Sequence, residues 1–484
     1  MKKVIFMLAV SLFSRVLVAQ DLDLRALTGK NWYGVYLNDQ KMGYAEHELT
    51  LNDKGEVRES LDVHMKVNQG GNVQDMQITE SREYAPDATL KRITSKVVSG
   101  GITHSFEAVV EGPEMRCVSV VGGKRTEEVR TPPAETLRDV LSRMRLVAAR
   151  PAVGDKIDYV RFESMLKVEI RGTNKVTAID EQVLDGTPTK VYLVETEERF
   201  PNETLKSLSK ITENGVLLED TVAGIYRMRL EPEDLAKKMS STNDVIFSNA
   251  ALIEQPISMP TTRDHLNLVL EGPLRESHLF SDRRQTMVLE NGRVHFTAQR
   301  IAAETLKQAT LPIQDEEVKP WLKASPFVQS DDPRIVAKAK EIVGDEKNAY
   351  LAASRLCSWV HANLRKQYSA ALSNALDVLD TMEGDCTEHS VLFVALARAA
   401  GIPAREVAGL VYTAPEKKPG FYFHQWASVY VGEWIDMDPM FNQTLVDVTH
   451  IKLAEGDLLQ QVQLIPIIGR IHVRVLEEEK PSAQ

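Results

Sequence analysis

The chain has 484 residues, of which 43% are hydrophobic and 26% are charged, a composition typical of soluble globular proteins. This length exceeds one ordinary hydrophobic core, so we expect two or three domains. The formal net charge of −11 disfavours nucleic acid and anionic lipid as general partners, because both are themselves negatively charged.

The first residues have the pattern of a secretory signal peptide. Lys2 and Lys3 are followed by an apolar stretch at 4–18 and by the small residue Ala19, the order of regions that signal peptides share. The stretch is short for spanning a bilayer, which favours cleavage after Ala19 over an uncleaved anchor. We therefore expect residues 1–19 to be a signal peptide, a periplasmic or secreted location, and no stable membrane insertion after cleavage.

Residues 20–235 predict a β-rich N-terminal domain. Apolar and polar residues alternate at 61–67, and a turn rich in glycine and asparagine follows at 68–72, which is the pattern of a hairpin with one buried face. After the prolines at 132–133, apolar residues at helical spacing between 137 and 147 predict one helix. The region has no motif with a nucleophile. We expect a sandwich or a twisted antiparallel sheet that acts as scaffold, substrate platform or partner surface.

A second β-rich segment is predicted at 245–315. It contains two apolar strand patterns, at 266–270 and 294–297, and prolines mark its edges. At the other end of the chain, residues 461–484 predict a terminal strand followed by a solvated tail.

Helical signals begin at Asp332. Its side chain suits the N-cap position and Pro333 suits the first helical position, and a second helix carries apolar residues between 351 and 364. The pattern of residues 320–460 thus predicts helices followed by strands. The same region contains the cysteine, histidine and aspartate residues that are candidates for catalysis.

Cys386 lies in the segment GDCTEHS, at 384–390, and is followed by an apolar helical run. Gly401 and Pro403 are suited to ending that helix. Cys386 is therefore expected at the helix N-terminus, where unpaired N–H groups and the helix dipole favour a thiolate and can stabilise an oxyanion. The alternative is an inert, buried cysteine, which the polar flanking residues argue against.

A histidine and two aspartates lie on the strand patterns that follow. His424 begins one strand pattern, Asp438 ends the next, and Gly432 predicts a hairpin turn between them. A three-residue loop at 431–433 would place His424 and Asp438 on one sheet face, whereas a two-residue loop would place them on opposite faces. Asp436 shares the parity of Asp438 but lies nearer the turn, and is therefore expected to lie further from His424.

Four short blocks, namely GDCTEHS, GIPAR at 401–405, HQW at 424–426 and WIDMDP at 434–439, resemble the transglutaminase-like superfamily in its common bacterial form. The resemblance covers roughly residues 320–455 and implies an α+β fold with a papain-like core. It also implies that Cys386 is the nucleophile, His424 the base and later the acid, and Asp438 the group that orients the imidazole. The family motif puts the acid directly before the proline, which favours Asp438 over Asp436.

Other polar residues near these motifs are weaker candidates for a catalytic or metal-binding role. Glu388 and His389 occupy the first turn of the Cys386 helix, where a carboxylate complements the dipole and an imidazole can hydrogen-bond locally. A metal site of Cys386, His389, His424 and Asp438 is conceivable, but paired ligand spacings such as CxxC or HxxxH are missing. We therefore predict no metal and no cofactor.

Three further side chains near the motifs are expected to be structural. Trp426 and Tyr422 are candidates for an acyl-acceptor groove, although aromatic residues of this kind more often belong to the core or its rim. His450 is predicted to be structural.

The three cysteines allow two arrangements in an exported protein. Cys117 lies on a strand pattern and Cys357 within a helical one, so the two can form a disulfide and leave Cys386 as the reactive thiol. Alternatively, both are buried and reduced. The sequence does not decide between them, because a disulfide requires nearby Cα atoms.

Together, the patterns predict an exported, thiol-dependent enzyme that transfers acyl groups from peptide or carboxamide bonds through a thioester. Hydrolysis by water is favoured over cross-linking to an amine. The expected partners are protein or peptide substrates, with components of the cell envelope as candidates, and not nucleic acid; the oligomeric state is not predicted. The competing hypothesis is a non-catalytic binding or assembly protein of the envelope that uses the same scaffold, motivated by the large β-rich N-terminal region.

Overall fold

The computed structural model describes residues 24–476 apart from 122, 165, 201–203, 240–243, 369–372, 416–417 and 458–459. The predicted signal peptide and the C-terminal tail lie outside the described residues. The chain divides into two compact units, one up to residue 243 and one from residue 244 onwards.

The N-terminal unit contains the first fourteen described strands: β1 (Gly29–Leu37), β2 (Gln40–Leu51), β3 (Val57–Gln69), β4 (Asn72–Tyr84), β5 (Leu90–Ser99), β6 (Ile102–Glu111), β7 (Glu114–Val121), β8 (Lys124–Arg130), β9 (Lys156–Glu163), β10 (Val168–Leu184), β11 (Thr187–Arg199), β12 (Thr204–Thr212), β13 (Leu217–Val222) and β14 (Tyr226–Leu230). They form one antiparallel sheet in which β1 to β8 and β9 to β14 are each consecutive and β1 pairs with β14. This is the predicted large antiparallel sheet.

One face of the sheet is buried, as the alternation in the sequence predicts. In β3, every second residue from Val57 to Gln69 is buried and the residues between them are more exposed. The period of two arises because successive side chains of a strand point to opposite faces.

The described residues of this unit also form the short helices α1 (Leu24–Leu27), α2 (Leu137–Val140), α3 (Ser142–Ala148) and α4 (Glu233–Ala236). The single helix expected between 137 and 147 is therefore two. The interruption falls at Leu141, whose backbone leaves helical geometry, with φ −102° and ψ 11°.

Charged side chains are buried inside the N-terminal unit with partners. The guanidinium of Arg161 lies 2.7 Å from Glu163 and 2.9 Å from Glu198, and the Arg161 side chain is 0% exposed. Because a buried charge is costly unless it is paired, these contacts offset the cost of burying the Arg161 guanidinium.

The C-terminal unit contains the helices α5 (Val245–Ser248), α6 (Pro333–Val343), α7 (Ala349–Asn363), α8 (Ala375–Thr381) and α9 (Cys386–Ala399). Its strands are β15 (Ala251–Leu252), β16 (His265–Glu271), β17 (Gln285–Glu290), β18 (Arg293–Gln299), β19 (Arg365–Lys366), β20 (Glu383–Gly384), β21 (Ala404–Thr413), β22 (Gly420–Tyr430), β23 (Trp434–Met437), β24 (His450–Glu455) and β25 (His472–Val475). Short 3₁₀ helices occur at Glu276–His278, Ala303–Thr305, Lys319–Leu322 and Gln460–Ile467.

Most of the described strands of this unit form two sheets, and β19 and β20 form a short parallel pair. One has the order β15-β22-β21-β24 with β23 paired to β22, and the other has the order β17-β18-β16-β25. A mixed helical and stranded unit after a large antiparallel sheet is the predicted α+β architecture.

Helix α9 lies at the centre of the C-terminal core. Its residues from Thr387 to Arg398 are all buried, and it packs with α6, α7, α8 and strands β21 and β22. An apolar run of this kind is buried on all sides. It fixes Cys386, the first residue of α9, relative to the strands beside it.

Within the described residues, none of the helices has the length and hydropathy needed to cross a membrane.

Candidate active site

Helix α9 begins at Cys386, and its start is determined by a capping box. The Asp385 side chain accepts a hydrogen bond from the Thr387 N–H at 2.9 Å, and the Glu388 side chain accepts one from the Asp385 N–H at 3.0 Å. Such reciprocal bonds satisfy N–H groups that a helix start leaves without partners. The first turn of α9 is therefore rigid, and its dipole favours an anion at Cys386.

Gly384 permits this close packing. Its φ is +157°, and a Cβ atom placed on it would lie 2.2 Å from Cβ of Glu388. A glycine two residues before the thiol is therefore needed for Glu388 to reach back to Asp385.

The Cys386 turn is joined to β22. The hydroxyl of Ser390 lies 2.7 Å from the carbonyl oxygen of Cys386 and 3.0 Å from that of Gln425. Gln425 follows His424 directly, so this hydroxyl joins the backbone that carries the thiol to the backbone that carries the imidazole.

The three cysteines differ in accessibility. All are free; Cys117 and Cys357 are buried, whereas Cys386 is partly exposed. Of the two arrangements that the sequence leaves open, the structure has the reduced one. Burial, together with the nearby Asp438 carboxylate, raises the pKa of the Cys357 thiol, so this thiol is kept neutral.

The hairpin of β22 and β23 has the three-residue loop. Tyr430 pairs with Trp434 and Ala427 pairs with Met437, and the N–H of Val431 donates to the carbonyl of Glu433 at 3.0 Å. The pairing places Asp438 immediately after β23.

His424 and Asp438 meet across this hairpin. Nε2 of His424 lies 2.7 Å from Oδ2 of Asp438, and the exposed fractions of the two residues are 7% and 0%. The other oxygen, Oδ1, accepts the N–H groups of Met440 at 2.8 Å and Phe441 at 3.1 Å. The backbone after Pro439 therefore orients the carboxylate, and the carboxylate orients the imidazole.

The electrostatics favour a charged imidazole beside the thiol. Burial by itself lowers the pKa of His424, but the charges of Asp438 and Cys386 and hydrogen bonds to both raise it to about 10. Since Nε2 is engaged by Asp438, Nδ1 is the nitrogen that remains for Cys386. Burial raises the pKa of Asp438, but the charge and hydrogen bond of His424 and the contact with His450 lower it well below its ordinary value.

Asp436 belongs to a different cluster. Its Oδ2 accepts the indole N–H of Trp426 at 3.2 Å, and its Oδ1 lies 2.9 Å from Nζ of Lys452. The structure thus places Asp438, and not Asp436, against His424.

His389 is turned towards the helix start. Its Nδ1 lies 2.8 Å from the carbonyl oxygen of Asp385, and burial lowers the pKa of the imidazole. It therefore makes the local hydrogen bond expected of it, as a neutral ring.

A residue predicted to be structural joins the site. Nε2 of His450 lies 3.1 Å from Oδ2 of Asp438, and its Nδ1 lies 3.2 Å from Oδ1 of Asp447. The spacing Asp447-Val448-Thr449-His450 indicates a local acid–imidazole pair, but nothing in the sequence brings that pair to Asp438.

The donor atoms of His424, Asp438 and His450 lie within 4.8 Å of one another, the one set among the described residues close enough to share a metal ion. Each atom, however, already lies at hydrogen-bond distance from another member of the set. Separations of 2.7 and 3.1 Å between N and O are those of N–H···O bonds. The residues fit a hydrogen-bonded network, and we assign no metal to them.

Of three aromatic residues near His424, two belong to the core and one lies at the site. Trp426 and Tyr422 are buried, with 0% and 3% exposed, so they belong to the core. Phe441 is 37% exposed, and its ring stacks on the imidazole of His424 with centroids 4.9 Å apart. Its role was not visible in the sequence, because it depends on the path of the chain after Pro439.

Taken together, the structure assembles a partly exposed thiol at a helix N-terminus, an imidazole beside it and a buried carboxylate behind the imidazole. This arrangement can activate a thiol for attack on a carbonyl carbon and can return a proton to the leaving group.

Comparison with known families identifies the domain that contains this site. The model of the transglutaminase-like superfamily matches residues 336–439, a range that includes Cys386, His424 and Asp438. This part of the chain is a transglutaminase-like core domain, as the motifs predicted. The match supports a thiol-dependent enzyme.

The chain is also similar to individual proteins. It shares 36% identity over 107 residues with an uncharacterized protein of Haemophilus influenzae, and these residues are 21% of this chain and 28% of that protein. The chain therefore spans less than a third of the length of that relative.

Two solved structures are similar to parts of the chain. A candidate cysteine protease from Cytophaga hutchinsonii shares 18% identity, covers 45% of this chain and 89% of its own, and has a TM-score of 0.31. A beta-barrel-like protein of a domain of unknown function from Brucella abortus shares 10% identity, covers 42% of this chain and 94% of its own, and has a TM-score of 0.34. These scores are low, so the assignment of the core domain depends on the sequence match.

Proposed function

Given the transglutaminase-like core at 336–439, we propose that this protein is a thiol-dependent acyl-transfer enzyme that acts on peptide or carboxamide bonds through a Cys386 thioester. The observation that supports this most directly is the continuous contact of Cys386 with His424 and of His424 with Asp438. In this proposal Cys386 is the nucleophile, His424 the base and acid, and Asp438 the orienting group.

In the acylation step, the thiolate of Cys386 attacks the carbonyl carbon and forms a C–S bond, while the π electron pair moves to the carbonyl oxygen. The N–H of Cys386, which is not part of the capping box at the start of α9, stabilises the resulting oxyanion. When the oxyanion collapses, the C–N bond breaks, and the His424 imidazolium gives its proton to the leaving amine.

In the deacylation step, neutral His424 takes a proton from water as the water oxygen attacks the thioester. Collapse of the second oxyanion breaks the C–S bond, releases the carboxylic acid and restores the thiolate and the imidazolium. We favour water over an amine as the acceptor, because water needs no second specific binding site.

Substitution of the nucleophile tests the proposal. Wild-type protein should cleave members of a quenched peptide library, and Cys386→Ala should not; cleavage that survives the substitution contradicts the assignment. Mass spectra of envelope extract incubated with each form distinguish the acceptors, because hydrolysis creates a new carboxylic acid whereas transfer to an amine creates cross-linked masses.

The second candidate function is a non-catalytic binding or assembly protein of the envelope. It is favoured by the size of the N-terminal unit, which ends at residue 243 of 484. Iodoacetamide separates the two functions, since an activated Cys386 should be alkylated much faster than the buried Cys117 and Cys357. Equally slow alkylation of all three thiols in the native protein would favour the binding protein.

We also propose export to the periplasm or the exterior, based on residues 1–19. Mature protein from the envelope fraction should then begin at Gln20, as determined by N-terminal mass spectrometry. Intact protein that retains Met1 and remains with the cytoplasmic fraction would contradict this. The proposed partners are protein or peptide substrates met in that compartment.

A further inference from the structure

The buried carboxylate of the site has two imidazole neighbours. Oδ2 of Asp438 lies 2.7 Å from Nε2 of His424 and 3.1 Å from Nε2 of His450. An ionised carboxylate can only accept hydrogen bonds, so both rings donate an N–H to the same oxygen.

His450 has a second carboxylate at its other nitrogen. Its Nδ1 lies 3.2 Å from Oδ1 of Asp447. Asp447 is itself held in place, because it accepts the N–H of Thr449 at 2.8 Å and the side-chain amide of Gln443 at 2.8 Å. With an acceptor at each nitrogen, His450 donates from both, and a ring that donates from both nitrogens is an imidazolium.

The side chains of this arrangement are buried, so the positive charge on His450 interacts strongly with its neighbours. His450 and Asp438 are each 0% exposed and Asp447 is 8% exposed. Burial by itself lowers the pKa of His450, but hydrogen bonds to Asp438 and Asp447 and their charges raise it above its ordinary value. Burial by itself raises the pKa of Asp447, but the hydrogen bond and charge of His450, with hydrogen bonds from Thr449 and Gln443, lower it to about 2.

We propose that His450, bound between Asp447 and Asp438, is a positioning residue for the Cys386–His424 pair. The proposal rests on the proposed function, since it assigns His450 a role in the same site. His450 holds the Asp438 oxygen that orients His424, and its charge offsets part of the charge that Asp438 presents to His424.

Two physical effects follow from this position. First, Asp438 cannot rotate away from His424 without losing its bond to His450. Second, the rings of His424 and His450 have centroids 6.0 Å apart, so a positive charge on His450 makes His424 give up its proton more readily. A more acidic His424 protonates the leaving amine more effectively.

Other ionisable groups lie around His450. Arg284 donates to the backbone carbonyl of His450 at 2.7 Å and lies 3.7 Å from Asp436. Lys452 lies 2.9 Å from Asp436, and its neighbouring carboxylates raise its pKa against the effect of burial. Cys357, on α7, has a raised pKa and stays neutral. His450 and His424 are therefore the groups to follow by titration.

The test uses the full-length mature protein with ¹⁵N-labelled histidine. His450→Gln keeps a donor for Asp438 but removes the charge. Asp447→Asn keeps an acceptor for Nδ1 but removes the carboxylate that stabilises the charge. His278→Gln is the matched control, because His278 is also buried in the C-terminal unit but bonds to the backbone carbonyl of Gln463.

The titration midpoint of the His424 ring should rise by about one pH unit in His450→Gln and in Asp447→Asn, and should not move in His278→Gln. In the two site variants, kcat on the peptide library should fall about tenfold with little change in KM. Asp447→Asn leaves His450 in place. If His450→Gln does not fold, the His424 midpoint measured in Asp447→Asn tests the proposal.

The proposal is overturned if neither site variant moves the His424 midpoint, even when kcat falls, because His450 would then support the fold only. The NMR titration does not require turnover. A wild-type protein that cleaves no peptide would therefore count against the proposed function, while the His424 midpoint would still report on His450.

Discussion

The ring of Phe441 stacks on the imidazole of His424, with centroids 4.9 Å apart and ring planes 10° from parallel. Phe441 lies three residues after Asp438, and its N–H donates to the Asp438 carboxylate at 3.1 Å. One short segment thus provides the group that orients His424 at one edge and the ring that covers its face. This relationship makes Phe441 a candidate wall of the site.

Phe441→Ala should lower kcat/KM about tenfold, because the imidazolium loses a stacked aromatic ring and gains contact with water. The measurement is steady-state cleavage of the peptide library. Phe441→Tyr keeps the stack and should stay near the wild-type value. An alanine variant with unchanged kcat/KM would show that the ring does not hold His424.

The free energy of unfolding should depend on pH in part because of His424. Its pKa is raised in the folded protein to about 10, so the stability that it contributes is fully present below about 6.5. That contribution is lost as the pH rises towards 10. Urea unfolding between pH 6 and 10, followed by tryptophan fluorescence, measures it, since four of the tryptophans lie in the C-terminal unit, at 321, 359, 426 and 434.

Two variants check the origin of that pH dependence. His424→Gln should abolish the difference that wild-type protein shows over this range. Cys386→Ala removes one of the two anions that raise the pKa of His424, so the total loss of stability should be smaller and should be complete at a lower pH. If all three proteins have the same pH profile, His424 is not the titrating group.

Gly384→Ala should destabilise the C-terminal unit by about 1–3 kcal/mol. Its Cβ would lie 2.2 Å from Cβ of Glu388 and would displace the cap of α9. Because Cys386 begins that helix, we also expect slower alkylation of the thiol. Thr381→Ala, at an exposed position in α8, is the control for urea unfolding, and equal stability of the two variants would contradict the prediction.

Arg161→Ala should destabilise the N-terminal unit by about 3–5 kcal/mol, because it leaves buried carboxylates without their partner. Arg171→Ala is a matched control, since the Arg171 side chain is 69% exposed and pairs with Glu169 on the surface; we expect about 1 kcal/mol or less. Far-UV circular dichroism during thermal unfolding measures both. A similar effect of the two substitutions would show that the buried pairs of Arg161 contribute no more than a surface pair.

Several features of the site could be predicted because they depend on residues close together in the chain. The helix that begins at Cys386 followed from the polar first turn and the apolar run after it, and Gly432 indicated a hairpin turn, whereas the sequence left open the three-residue loop that sets the register. The prediction of one helix between 137 and 147 was wrong because helical spacing of apolar residues does not show a backbone break at Leu141.

What the sequence determined by itself was the order of elements, the alternation in the N-terminal sheet and the identity of the transglutaminase-like core. These follow from local hydrogen bonds, side-chain periodicity and motif spacing. Only the tertiary structure decided that His450 and Phe441 meet His424 and Asp438, and that Asp436 instead meets Lys452. The contacts of His450 and Phe441 depend on the path of residues 439–449 between β23 and β24, and a path of that kind is set by packing rather than by local pattern.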